Sequence, residues 1–396
     1  MAGSTELRAA PKNHNLVDLS IAAVGGLALA FTALFLCVVP LTGNIAGVRD
    51  FVVYWATGQQ LVHHADPYNA AAMTRVERSA GLPSKYPVLF MRNPPWALPL
   101  VFPLGLVGVR IGALLWSLAL LGCLLLSVRI FWILAGRPDS HLHWLGYSFA
   151  PALLCLFMGQ ISLFALLGLA LFLRFNGTRP FVAGVSLWLC ALKPHLFLPF
   201  GLALLLWIFV TRSYKLLAGA VLAMAASCAV TWCLAPSAWT SYFSMMRAST
   251  IEREFIPCLG DALRLWFEPR AIWLQYLPAA IACAWAIFYY WRRRGRWDWN
   301  THGSLLMVVS VAAAPYCWLY DQGLVIPALL QGICGSRSRV LPALLALANV
   351  LLYAEFCMVN VTSPLYLWAA PAWLAWYLFA RAAAAKEETP TPAIPA

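Results

Sequence analysis

The sequence predicts an all-α protein that crosses a membrane many times, about twelve. Three observations carry that reading. Apolar residues make up 62% of the 396-residue chain and charged residues 11%, with a mean hydropathy of +0.75. Soluble domains run near half apolar and about a quarter charged. Apolar stretches recur from Leu16 to Phe379, many long enough to cross a bilayer. Runs such as Leu217 to Leu234 are continuous, whereas a membrane β-barrel alternates with period two. Finally, the net charge of +12 is spread over short turns between apolar runs, notably Arg292-Arg293-Arg294-Gly295-Arg296. That distribution is a topology signal rather than a nucleic-acid groove, so no nucleic-acid partner is expected.

The elements follow in order. The run from Leu16 to Pro40 is too long for a signal-peptide core and has no small-residue cleavage site after it, so 16–39 is read as a first anchor. Residues 41–95 form an outer loop. In it, Val52–Leu61 and Ala70–Val76 each make a short helix with an apolar side, separated by Asp66-Pro67. These are expected to lie as interfacial helices over the bundle. The segment 96–134 is too long for one straight crossing, and Pro99 and Pro103 predict a kink or a separate short helix at its start. Further crossings are expected at 144–158, 160–174, 180–193, 195–211 and 216–235. After a second large loop, 236–271, come 272–291, 303–320, 323–335, 340–361 and 365–380. Several are short, which is tolerated where protein or a polar cavity surrounds them. Residues 1–15 and 386–396 read as cytoplasmic tails around a transmembrane domain at 16–385.

With twelve crossings both termini are cytoplasmic. The inner turns then hold Arg137, Arg174, Arg179, Arg212, Lys215, the Arg292 cluster, Arg337, Arg339 and Arg381, as the positive-inside rule requires. The outer face collects a polar set. The first loop supplies Asp50, His63, His64, Asp66, Tyr68, Arg75, Lys85, Tyr86, Arg92 and Asn93. Gly159-Gln160, Lys193-Pro194-His195, and Tyr316, Trp318, Tyr320 and Asp321 come from later turns. The second loop adds Tyr242, Arg247, Glu252, Arg253 and Glu254. A single acidic residue at a helix end is an ordinary interface residue, and a single Lys193 there would snorkel. Asp50, Gln160, Lys193 and Asp321, far apart in sequence, converge under this topology, and polar groups at the mouth of an apolar bundle are what a substrate site requires.

The 11 cysteines include no CxxC pair and mostly sit inside apolar runs, as Cys123, Cys155, Cys190 and Cys228 do. No metal and no cofactor are expected. Neither a P-loop nor a GxGxxG after a strand is present, so nucleotide binding is not encoded in a familiar form. A reaction on the outer face then needs an activated substrate that arrives in the membrane, which a lipid phosphate carrier satisfies. Lys193 with one of Arg92, Arg247 or Arg253 could hold its phosphate, and a carboxylate could take the proton of an attacking hydroxyl.

Several of these residues form an ordered series. Asp50 and Tyr54 are followed by Gly58-Gln59-Gln60-Leu61, Asp66-Pro67-Tyr68, Tyr86-Pro87 and Asn93-Pro94-Pro95-Trp96. Then come Gly159-Gln160-Ile161-Ser162, Leu192-Lys193-Pro194 and Ala314-Pro315-Tyr316-Cys317-Trp318-Leu319-Tyr320-Asp321. The series resembles glycosyltransferase family 87, bacterial enzymes of the GT-C class that take sugars from polyprenyl phosphate. That family includes mannosyltransferases and arabinofuranosyltransferases. Two departures stand out: Ser162 where the family commonly has Asn, and Tyr320-Asp321 where many members have Asp or His, a place for which His195 would compensate.

The resemblance implies a GT-C type helical bundle in the bacterial inner membrane with its site facing outward. Asp50 would be the general base for inverting transfer, with mannose the favoured sugar and a glycolipid or envelope glycan the acceptor. Tyr54, Asp66, Tyr68, Arg92, Gln160, Lys193, His195, Arg247, Arg253, Tyr320 and Asp321 would line the substrates. Asp66 is the rival base, but before Pro67-Tyr68 it reads more simply as a turn former. The competing function is a transporter or lipid flippase. It would show inverted repeats and charges at helix midpoints; no repeat appears, and Arg110 and Glu355 are the exceptions to largely uncharged crossings. A structural or assembly role would leave the polar set without purpose.

Overall fold

The computed structural model describes residues 16–42, 49–84, 89–248, 255–336 and 338–388, and among them every regular element is helical. The helices are α1 (Leu16–Thr42), α2 (Arg49–Val62), α3 (Ala70–Ser79), α4 (Leu98–Val101), α5 (Val109–Leu134), α6 (Trp144–Tyr147), α7 (Ala150–Met158), α8 (Ser162–Phe175) and α9 (Pro180–Cys190). They continue as α10 (Leu198–Thr211), α11 (Tyr214–Leu234), α12 (Ala238–Ala248), α13 (Leu259–Phe267), α14 (Ile272–Arg293), α15 (Trp299–Ala312), α16 (Ile326–Gly335), α17 (Val340–Met358) and α18 (Ala369–Glu388).

Six helical stretches among the described residues are long and apolar enough to cross a membrane: Asp18–Thr42, Val109–Leu134, Pro194–Thr211, Tyr214–Leu234, Ile272–Arg296 and Val340–Met358. Their outward faces are apolar, with Leu27, Phe31, Phe209, Ile281 and Phe288 all exposed. Apolar surface on that scale needs lipid rather than water, so this is a polytopic membrane protein. In α14, exposed Trp273 and Trp291 sit near opposite ends. At 1.5 Å per residue they are about 27 Å apart, close to the thickness of a hydrocarbon core.

The other predicted crossings are shorter or broken. The start of 96–134 is a 3-10 turn, Pro95–Ala97, then α4 and a second 3-10 turn, Phe102–Leu106, before α5 begins; Pro99 and Pro103 lie where the interruption occurs. The segment 144–158 divides into α6 and α7 at Ser148-Phe149. Asn349 of α17 repairs that break: its Oδ1 accepts from Ala150 N at 2.6 Å and its Nδ2 donates to Ser148 O at 2.9 Å. Tyr353 Oη donates to the same carbonyl at 2.6 Å. Interrupted backbone in an apolar bundle needs such partners. The predicted crossing 303–320 stops at Ala312, and Pro315 opens a non-helical passage to a 3-10 helix, Leu319–Val325.

The first loop departs from its expected form. Helices do form at both predicted places, but α2 is not a surface helix. Phe51 to Gly58 are all buried, as are Gln60 and Leu61. The burial depends on a backbone-to-backbone contact, because a Cβ on Gly105 would stand 2.1 Å from Gly58 O. The polar residues of α2 bond to that same turn: Gln59 Nε2 donates to Gly105 O at 2.7 Å and Trp55 Nε1 to Val107 O at 3.0 Å. At the chain's end, the alanine run carries α18 to Glu388, past the predicted 380. Of the predicted tail at 386–396, the first three residues thus belong to α18; the rest of it and the tail at 1–15 lie outside the described residues, as do Lys85, Tyr86, Glu252, Arg253, Glu254 and Arg337.

Candidate active site

Four backbone devices bring the site together at one end of the bundle. The first is α2, whose first two turns carry Asp50 and then Tyr54. The second is the Schellman close of α7. Gly159 takes a positive φ of 71°, Gly159 N bonds Leu156 O at 3.1 Å, and Gln160 N bonds Cys155 O at 2.9 Å. Glycine occupies this left-handed position without steric cost, and Gln160 is thereby fixed at the start of α8. The third is Pro194, which keeps Lys193 out of helical geometry (φ −135°, ψ 70°) at the junction of α9 and α10. The fourth is the start of the 3-10 helix Leu319–Val325, with Trp318 as its N-cap. There Asp321 accepts from Trp318 N at 3.0 Å, tying its carboxylate to the backbone.

The side chains then form one connected network. Gln160 Nε2 donates to Asp50 Oδ2 at 3.0 Å and lies 3.4 Å from Tyr320 Oη. Gln160 Oε1 accepts from Tyr54 Oη at 3.1 Å and from Lys193 Nζ at 3.0 Å. Lys193 Nζ pairs with Asp321 Oδ1 at 2.7 Å and stands 5.1 Å from the centroid of the Tyr320 ring. Ser162 Oγ donates to the same Asp321 oxygen. Asp321 is 0% exposed and Lys193 7%, whereas Asp50 is half-buried. Burial first, and then the Asp50 carboxylate, raise the Tyr54 phenol well above the usual tyrosine range, so its proton stays available to Gln160.

A second group adjoins the first. Arg92 Nη1 lies 3.4 Å from Tyr316 Oη, which also accepts from Trp318 Nε1 at 2.8 Å. The His195 ring stands edge-on to Tyr316, 5.4 Å between centroids, and its Nε2 is buried with no hydrogen-bond partner among the described residues.

Other expected site residues lie elsewhere. Asp66 forms a turn, its Oδ1 accepting from Tyr68 N at 3.0 Å. Tyr68 is buried, donates to Asn93 O at 3.0 Å and packs on Tyr242. Arg247 is exposed at the end of α12, outside the network. Arg253 lies outside the described residues. Lys193, expected to face a phosphate, is committed first to Asp321 and Gln160.

The buried Asp261–Arg264 pair, at 2.6 Å, was not anticipated. Asp261 Oδ2 accepts from Ile256 N at 2.8 Å, and nearby Gln275 Nε2 bonds Pro315 O at 2.8 Å. Together they anchor the second large loop and the passage leading to Tyr316. The i,i+3 acid–base spacing in Gly260-Asp261-Ala262-Leu263-Arg264 was its sequence signal. Among the described residues no group of three or more His, Cys, Asp or Glu is placed to hold a metal ion.

The two ends of the bundle differ. The helices that leave the network (α8 from Ser162, α10 just after Lys193) run about 20 Å at 1.5 Å per residue to turns holding Arg174, Arg179, Arg212 and Lys215. Two cavities, of about 350 and 310 Å³, lie away from the site. One is lined by Arg129, Trp132, His141, His143 and Tyr147 and the other by Leu134, Asn300, Ser304 and Gln331.

The sequence model of glycosyltransferase family 87 matches residues 90–315, more than half of the chain. The chain belongs to glycosyltransferase family 87. It is therefore a membrane glycosyltransferase, which takes a sugar donor and an acceptor. The family match includes Arg92, Gln160, Lys193 and His195, while Asp50, Tyr320 and Asp321 fall outside its limits. No curated protein and no solved structure matches the chain.

Proposed function

We propose that this family 87 glycosyltransferase transfers a sugar, mannose as the first choice, from polyprenyl phosphate to a hydroxyl of a glycolipid or envelope glycan. The reaction would take place at the extracytoplasmic face of the bacterial inner membrane, in a GT-C type bundle. The observation that carries the reading is Asp50: a half-buried carboxylate on a fixed amide, at the end of the bundle remote from the basic turns. Positive-inside topology puts those turns in the cytoplasm. Nucleotide sugars are scarce on the opposite side, and a lipid-linked donor reaches it through the bilayer.

In the proposed step the acceptor oxygen attacks C1 of the sugar while Asp50 takes the hydroxyl proton. The bond from C1 to the phosphate oxygen breaks, and its electron pair leaves with polyprenyl phosphate. One displacement inverts the anomeric centre. Lys193 is occupied by Asp321, so Arg92 is the proposed phosphate contact, with His195 beside it across Tyr316. A guanidinium suits this role because it binds phosphate bidentately and keeps its charge.

The test is transfer by purified protein in liposomes, offered polyprenyl-phospho-sugars or nucleotide sugars. The expected result is transfer from a polyprenyl donor alone, with the product's anomeric configuration, read by NMR, opposite to the donor's. Transfer from a nucleotide sugar, or retention, would overturn the reading.

A further inference from the structure

We infer that Gln160 is a positioning residue for Asp50, and that the buried Lys193–Asp321 pair fixes which way its amide faces. The inference rests on the proposed role of Asp50 and deepens it. A glutamine amide has one donating and one accepting end, and its two orientations have nearly the same shape. Here the choice is forced. Lys193 Nζ can only donate, so the Gln160 atom 3.0 Å from it is the oxygen. Tyr54 Oη donates to that same oxygen at 3.1 Å. The amide nitrogen is then turned to Asp50 Oδ2 at 3.0 Å.

Lys193 in turn cannot swing away. Its partner Asp321 is 0% exposed and is held by Trp318 N on one oxygen and Ser162 Oγ on the other. The backbone of Gln160 is fixed by the left-handed close at Gly159 and by Trp116 Nε1, which bonds Gly159 O at 2.8 Å. A polarity set by the buried ion pair thus passes through one amide to the carboxylate. An N–H held against a carboxylate restricts its rotamers, which serves a base that must accept a proton along one direction. This role differs from a substrate contact, the role expected for Gln160 from sequence.

The test uses the full-length protein in liposomes of its native lipids, which also supply the acceptor, with labelled polyprenyl-phospho-mannose as donor. Two variants are compared with wild type. Gln160→Glu keeps acceptors for Lys193 and Tyr54 but sets an oxygen against Asp50. Gln160→Met removes both ends of the amide and serves if the charged variant fails to fold. The loss of one hydrogen bond to a charged group corresponds to a fall in kcat of about 10- to 100-fold. KM for the donor, and binding of polyprenyl phosphate alone, should stay within about threefold of wild type, because the amide acts through Asp50. Wild-type kcat in folded Gln160→Met, or a defect confined to KM, would overturn the inference. Asp50→Asn separates the two levels. If it transfers at the wild-type rate, the proposed function fails and the inference with it. If it is inactive while Gln160→Met is fully active, only the inference fails.

Discussion

Lys193 Nζ meets two acceptors, Asp321 and Gln160, and the face of the Tyr320 ring. A buried ammonium is tolerated only when its charge is matched in this way. Removing it leaves Asp321 as an uncompensated carboxylate in a dry site, at a cost of about 3–5 kcal/mol. Lys193→Met is therefore expected to unfold in detergent at a markedly lower temperature. The double variant Lys193→Met/Asp321→Leu should recover most of that loss, because the charge has gone with its partner. Its transfer activity should stay low, since Gln160 is no longer oriented. If the single variant were as stable as wild type, the burial of the pair would be wrong. At the same scale, Arg92→Lys keeps the charge but loses the planar fork, and is expected to raise KM for a polyprenyl-phosphate donor about tenfold with little change in kcat. An unchanged KM would remove Arg92 from the phosphate.

Between elements, the placement of Asp50 depends on how closely α2 can approach the turn at Phe102–Leu106. A Cβ on Gly105 would stand 2.1 Å from Gly58 O, against backbone that cannot rotate away. Gly105→Ala should cost about 1–3 kcal/mol by overpacking and lower transfer by shifting α2. In α5, Gly122→Ala meets nothing within 4 Å and should leave transfer unchanged with no loss of stability. Equal thermal stability of the two variants would contradict this packing. The contact also explains why α2 was misplaced from sequence. The apolar side of Val52–Leu61 fits an interfacial helix, but the same stretch also holds Thr57, Gln59 and Gln60. In the fold, Gln59 is spent on the carbonyl of Gly105. Sequence patterning shows that a residue is polar, but not whether a distant backbone carbonyl will satisfy it.

Over the whole molecule, the membrane class, the breaks at Pro99 and Pro103 and the Asp66 turn were legible in the residues, because proline, apolar length and Asx geometry act locally. The convergence of Asp50, Gln160, Lys193 and Asp321 was legible too, since topology alone puts alternate turns at one end. Which of them bond to each other was not. That Lys193 is neutralised by Asp321 depends on distances no spacing rule supplies, and the burial of the Asp261–Arg264 clasp depends on the packing of the second loop, which its residues alone do not show. The six long apolar helices set the bundle across a membrane, and the proposed orientation has its own test. In a chain with exposed Cys233 and Cys357 replaced by alanine, His63→Cys should react with an impermeant maleimide from outside intact cells. Arg292→Cys should react only after permeabilisation, and the reverse pattern would invert the protein.

The most direct measurement of the central claim is the transfer rate of Asp50→Asn beside Asp66→Asn, each reconstituted with a polyprenyl-phospho-sugar donor. A lost general base corresponds to a fall in kcat of about 10²- to 10⁴-fold. That fall is predicted for Asp50→Asn, with Asp66→Asn remaining within about tenfold of wild type because its carboxylate serves a turn. Full transfer by Asp50→Asn, or the larger loss in Asp66→Asn, would contradict the account.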